Sequence, residues 1–140
     1  MRPIYENEES LANEAEVAKF LAELWGGEFH KLPRRMQMDY AFARDDVVTG
    51  FVEVKCKTSN LEDFPFYFIS LSKVLEAKNL FNATGLHTKL VVRSKNGAIH
   101  SIVMSKEEFD VKIAGRKDRN DPDDMEPCAY FKSSKFVRYN

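Results

Sequence analysis

The stretch FVEVKCK, residues 51 to 57, constrains the fold more than any other. Its β-branched and aromatic residues suit a buried strand, yet Glu53 and Lys55 sit in its middle. Period-two geometry puts Val52, Val54 and Cys56 on one face and Phe51, Glu53, Lys55 and Lys57 on the other. Upstream, MQMDYAFAR (36 to 44) alternates well enough for a second strand, and DDVVTG is a turn-rich connection between the two. An antiparallel hairpin centred on Asp46 sets Asp39 opposite Glu53. Opposed residues share a face, so Asp39, Glu53 and Lys55 are expected to converge.

The rest of the chain supplies the layers around this hairpin. From Glu8 to Trp25, Leu11, Ala15, Ala18, Leu21, Ala22 and Trp25 recur at helical spacing, widened by Val17, Phe20 and Leu24, and Gly26-Gly27 stops the helix. FYFIS reads as a short strand. Leu71, Val74, Leu75, Lys78 and Phe81 mark one face of a second helix ending near Gly85. TKLVVRS and AIHSIVMS are two apolar strands around Lys95-Asn96-Gly97, an Asn-Gly hairpin signal. The charged segment 115 to 127 reads as a long loop, with a last short strand or two in AYFKSSKFVRY. The expected order is αβββαββ plus a tail, an α/β domain around a mixed β-sheet flanked by helices.

Composition limits the function classes. The chain has 140 residues, 44% of them hydrophobic, which suits one domain spanning 1 to 140. With 21 basic and 22 acidic side chains there is no global polycationic signature, so nucleic-acid binding would rest on local clustering. Cys56 and Cys128 form no CxxC, and His30, His87 and His100 form no ligand pair, which argues against a structural zinc or a disulfide framework. MRPIYENEES lacks an apolar signal core, and no apolar run approaches membrane-spanning length. The expectation is a cytoplasmic protein with reduced thiols and no membrane partner. The charged segment fails the calcium-loop template, and there is no phosphate-binding GxxxxGK or GxSxG elbow.

Two carboxylates across a ladder repel by roughly several tenths of a kcal/mol, and more when desolvated. A divalent cation reverses the sign of that interaction. Hard oxygen ligands suit Mg²⁺ or Mn²⁺, and Mg²⁺ typically takes one or two carboxylates plus waters and phosphate oxygens. The backbone carbonyl of Val54, between Glu53 and Lys55, is a candidate further ligand. Lys55 could orient a nucleophile or stabilise developing negative charge.

In these residues the chain resembles the PD-(D/E)xK nuclease superfamily, whose fold is restriction-endonuclease-like. The signature is an acid at the start of one strand, then an acid, any residue and a lysine on the next. Asp39 and Glu53-Val54-Lys55 reproduce it, with thirteen residues between the acids. The position before the first acid, nominally proline, is Met38 here. The likeness extends over the order of elements from about residue 8 to 94. It implies a metal-dependent endonuclease acting on nucleic acid, with DNA the expected substrate. Asp39, Glu53 and Lys55 would be catalytic, and Asp39, Glu53 and Val54 would hold Mg²⁺ or Mn²⁺. Many members add a glutamate from the first helix. Glu14, on the stripe facing the sheet, is the candidate, and Glu16 points more sideways. The second helix often carries a residue reaching substrate, which Lys73 in its first turn would fit, with Lys57 a further nucleic-acid contact. Resolvase-like and phage-type members suggest structure-selective or weakly specific cleavage, a homodimer cutting two strands, and for a phage protein the host cytoplasm.

Plainer readings stand beside these. Glu53 and Lys55 could be an exposed edge-strand ion pair worth about 0 to 1 kcal/mol. Asp39 alone could be a strand-start residue, and Glu14 and Lys73 solvated helix residues. The fold could also serve a non-catalytic nucleic-acid-binding or assembly module. Retention of all three signature residues argues against a degenerate site.

Overall fold

The computed structural model describes residues 8–115 and 125–140, with side chains from residue 12 to 114 and over the second segment. Two helices, α1 (Glu8–Trp25) and α2 (Leu71–Thr84), accompany nine strands among the described residues. These are β1 (Glu28–Lys31), β2 (Tyr40–Arg44), β3 (Val47–Cys56), β4 (Phe66–Ser70), β5 (Thr88–Arg93), β6 (Ile99–Val103), β7 (Asp110–Gly115), β8 (Met125–Lys132) and β9 (Val137–Arg138). Six strands form a mixed sheet in the order β1-β2-β3-β5-β6-β9, and β4-β8-β7 form a second sheet. The expected αβββαββ core is present. The structure adds β1 and β7, which the sequence reading missed; β8 and β9 fall where one or two strands were expected in AYFKSSKFVRY, with β8 starting earlier, at Met125.

The parallel pairing of β3 with β5 organises the molecule, because parallel neighbours need a crossover and β4 with α2 supplies it. Helix α1 covers one face of the large sheet: Val17, Ala18 and Leu21 pack on Tyr40, Phe42, Val52, Val54, Val91 and Ile99. The other face is covered by α2 and the small sheet. There Leu61, Tyr67, Ile69, Val74, Ala77, Ala129 and Phe131 meet Leu90, Val92 and Ile102. Strand β3 is therefore buried on both faces through Val52, Glu53 and Val54, while Lys55 just beyond them is half-exposed.

Several local readings need correction. The strand expected over 36 to 44 begins only at Tyr40. Residues before it turn, with Met36 N–H bonded to the Pro33 carbonyl at 2.9 Å, while Leu32 N–H holds the Asp39 carbonyl at 2.9 Å. On α1, Ala15 and Leu24 face water, contrary to the expected stripe, whereas Glu14 is buried on the sheet-facing side as expected; the Leu11 side chain lies outside the described residues. On α2 the inward face is Val74 and Ala77 with Leu71 and Leu80. Leu75 and Phe81 are exposed, and Phe81 instead stacks on His87 with ring centroids 4.3 Å apart. Of the segment read as a loop over 115 to 127, Gly115 ends β7 and Met125 to Pro127 begin β8. Residues 116–124 lie outside the described residues.

Gly27 has a steric reason to be glycine. A Cβ there would stand 2.4 Å from the Phe42 ring and 2.6 Å from the Ala43 carbonyl, so the chain leaving α1 passes directly over β2.

Candidate active site

The hairpin β2–β3 carries the site at its open end. Asp45 and Asp46 both have positive φ, 50° and 64°, as a two-residue type I′ turn requires, and aspartate tolerates that region better than most side chains. Arg44 pairs with Val47, then a bulge at Thr49 shifts the register, so that Tyr40 pairs with Val52. Extended one step, that register sets Asp39 beside Glu53, as expected. The ladder ends at Tyr40, however, and the two strands part there.

Where they part, Asp39 replaces the missing backbone partner: its Oδ2 accepts the Val54 N–H at 2.8 Å. The N–H and C=O of one strand residue point to the same side, so the Val54 carbonyl projects toward this open edge as well. Glu53 lies on the opposite face from Val54 and is only 2% exposed. Lys55 Nζ stands 3.7 Å from Glu53 Oε1, and Lys73 Nζ, reaching over from the first turn of α2, stands 3.4 Å from Oε2. Lys73 also donates to the Gln37 carbonyl, which ties α2 to the segment leading into Asp39.

The electrostatics of Glu53 are those of an acid held against its preference. Burial first, and the Asp39 charge second, raise its pKa from the ordinary 4.5 to about 7, even though Lys55 and Lys73 pull it down. Tyr67, packed nearby, has its phenol pushed up by burial and by the Glu53 charge. Glu14 arrives from the α1 side: Lys31 Nζ is 3.2 Å from Glu14 Oε2 and 3.7 Å from Asp39 Oδ1. Glu16 is turned away and pairs with Arg93 at 3.0 Å.

Lys57, two residues past Lys55, lies 5.1 Å from the ring centroids of both Phe64 and Tyr67, and burial lowers its pKa. Glu14 thus joins the cluster through Lys31, while Lys57 sits at its margin. Sequence reasoning missed Lys31 and Gln37. The first lies on the overlooked strand EFHK directly after Gly26-Gly27, whose single apolar residue, Phe29, gives no alternation to read.

A mixed sheet with an acid at the end of one strand and an acid and lysine on the next, flanked by helices, is the restriction-endonuclease-like architecture of PD-(D/E)xK proteins. The chain belongs to the family described as "Phage putative PDDEXK endonuclease", whose profile matches residues 1–139. It is a nuclease by that membership. Among solved structures it is similar to Hjc of Archaeoglobus fulgidus, a Holliday junction resolvase from an archaeal hyperthermophile. The TM-score is 0.50 at 12% identity, over 83% of this chain and 80% of that one, a likeness of fold. No curated protein matches the chain in sequence. No helix among the described residues is long and apolar enough to cross a membrane.

Proposed function

We propose that the chain is a divalent-metal-dependent endonuclease that hydrolyses phosphodiester bonds of DNA, with Asp39, Glu53 and Lys55 as its catalytic residues. The observation that carries this reading is Glu53: a carboxylate 2% exposed, beside a second acid, with its pKa lifted to about 7. Such an arrangement costs folding free energy and persists where the charge serves chemistry.

The donor set fits Mg²⁺ or Mn²⁺. Among the described residues no group of three or more His, Cys, Asp or Glu side chains gathers as a metal cage. Two carboxylates and one carbonyl suit a hard cation that keeps waters and phosphate oxygens in its shell. Asp39, Glu53 and the Val54 carbonyl would hold it. Glu14 stands behind Asp39 through Lys31. A divalent cation bound there supplies Lewis-acid neutralisation of phosphate charge and lowers the pKa of water.

The protein's own groups do the remainder. Lys73 fixes the Glu53 carboxylate from one oxygen and Lys55 approaches the other. Asp39 is held in place by the Val54 N–H. Lys55, the more exposed of the two lysines on Glu53, is placed to orient the attacking water and to stabilise the phosphorane-like charge as it develops. Cutting both strands of a duplex calls for two such sites, which a homodimer would supply.

A titration of Mg²⁺ and Mn²⁺ against cleavage of supercoiled plasmid and of branched DNA tests the reading. Wild type should cut only with metal, and Glu53→Ala and Asp39→Asn should not cut. Equal residual activity in wild type and Glu53→Ala would refute it.

A further inference from the structure

The outer face of the small sheet carries a group of exposed aromatic rings with lysines beside them. Strand alternation points Tyr67, Ile69, Ala129 and Phe131 into the core and leaves Phe66, Phe68, Tyr130 and Lys132 outside. Phe68 pairs with Tyr130 across the ladder and stacks on it, with centroids 5.3 Å apart and planes at 22°, although Phe68 is 48% exposed. Phe66 meets the same Tyr130 ring edge-on at 6.4 Å. From β7, Lys112 lies 5.8 Å from the Phe66 ring and 5.3 Å from that of Tyr130. Beside them an open groove of about 540 Å³ is lined by Phe64, Pro65, Phe66 and Lys132, together with the acid Glu62 and two serines.

This platform is continuous with the catalytic strand. Phe64, half exposed at the groove, carries Lys57 over its ring. At roughly 3.3 Å per residue, Lys57, the residue just past β3, is about 13 Å from Glu53 along the chain. Aromatic rings with lysines set between them match a polyanion that also has flat faces. Acids border the platform: Asp110 on β7 beside Tyr130, Glu126 near Ser70 at 3.3 Å, and Glu62, which bonds His100 and Arg138.

We propose that this face binds an unpaired stretch of nucleic acid, stacking bases on Phe68, Tyr130 and Phe66 while Lys112 and Lys132 meet phosphates and Lys57 stands at the margin beside Phe64. The substrate would then be DNA with a single-stranded portion next to the scissile bond: a branch, flap, gap or frayed end. The inference rests on the nuclease reading for the identity of the polymer. Stacking is tolerant of sequence, so no base preference is expected from it.

The test is fluorescence anisotropy with labelled oligothymidylate and a labelled duplex of equal length, in EDTA so that nothing is cut. Phe68→Ala and Tyr130→Ala should each lower the ratio of single-strand to duplex affinity about tenfold, the size of one lost stacking contact. Tyr130→Phe keeps the ring and should keep the ratio, and thermal melts confirm that each variant folds. An unchanged ratio in both alanine variants overturns the platform. So does a loss in Tyr130→Phe, or sedimentation showing that Phe68→Ala breaks up a dimer with the ratio intact. Wild-type cleavage in Mn²⁺, run in parallel, separates the two ideas. Selective single-strand binding without cleavage faults the nuclease reading alone, and cleavage with an unchanged ratio faults the platform alone.

Discussion

Replacing Glu53 by glutamine should stabilise the metal-free protein above neutral pH. The folded state raises the Glu53 pKa from 4.5 to about 7, which at about 1.4 kcal/mol per pH unit is about 3 to 4 kcal/mol against folding once the group is ionised in both states. The sign follows from proton counting. Between pH 4.5 and 7 the folded chain holds a proton that the unfolded chain has lost, so stability falls as pH rises through that window and levels off above it. Because the side chain is only 3% exposed, little of this is screened by solvent. Glutamine has the shape of the protonated acid and no charge to desolvate. Urea denaturation in EDTA should show wild type losing about 2 to 3 kcal/mol relative to Glu53→Gln between pH 5 and pH 8. Lys55 and Lys73 remain in both proteins, so their other pH effects largely cancel. Parallel stability curves for the two proteins across that range would refute the claim that Glu53 is held as a strained acid.

Three further outcomes follow from the same geometry. Lys55→Ala should lower kcat by roughly two to three orders of magnitude, the usual cost of one group that stabilises developing charge, while Mn²⁺ affinity by calorimetry changes only a few-fold. Lys73→Met removes a cation that lowers the Glu53 pKa. Mn²⁺ binding by this variant should shift to higher pH, and Lys73→Arg should restore it, as calorimetry across pH would read. Gly27→Ala must displace both the Phe42 ring and the Ala43 carbonyl. A cost of about 1 to 3 kcal/mol is expected, seen as a fall of several degrees in Tm without loss of metal binding.

The hairpin was legible because its two constraints are local. Alternation fixed which residues of β3 share a face, and turn chemistry fixed the register to within one residue. The error in the turn, centred between Asp45 and Asp46 and not on Asp46, was absorbed by the bulge at Thr49, so Tyr40 still pairs with Val52. A bulge leaves no mark in a hydrophobic pattern. What was not legible depends on long-range packing. That β2 stops at Tyr40, freeing the Val54 N–H for Asp39, follows from the path of residues 32 to 39 rather than from strand propensity. Leu75 and Phe81 share the apolar face that the spacing marks on α2 yet are exposed, because helical spacing alone cannot say which side of α2 the small sheet will cover. Strand β1 is four residues with only Phe29 half-buried, too short and too polar for alternation to announce it. With it went Lys31, and hence the link from Glu14 to Asp39. The short motif was nonetheless enough to place Asp39, Glu53 and Lys55 at one end of one hairpin, since period-two geometry leaves their side chains little choice.

The central claim is that Asp39 and Glu53 jointly hold a divalent cation at the fork between β2 and β3. A crystal soaked in Mn²⁺, with data collected for the anomalous signal of manganese, tests it most directly. The account predicts an anomalous peak within ligand distance of both carboxylates and the Val54 carbonyl, absent in Glu53→Gln crystals soaked in the same way. An empty fork in well-occupied crystals, or a peak elsewhere with Asp39 and Glu53 still facing only the lysines, would contradict it.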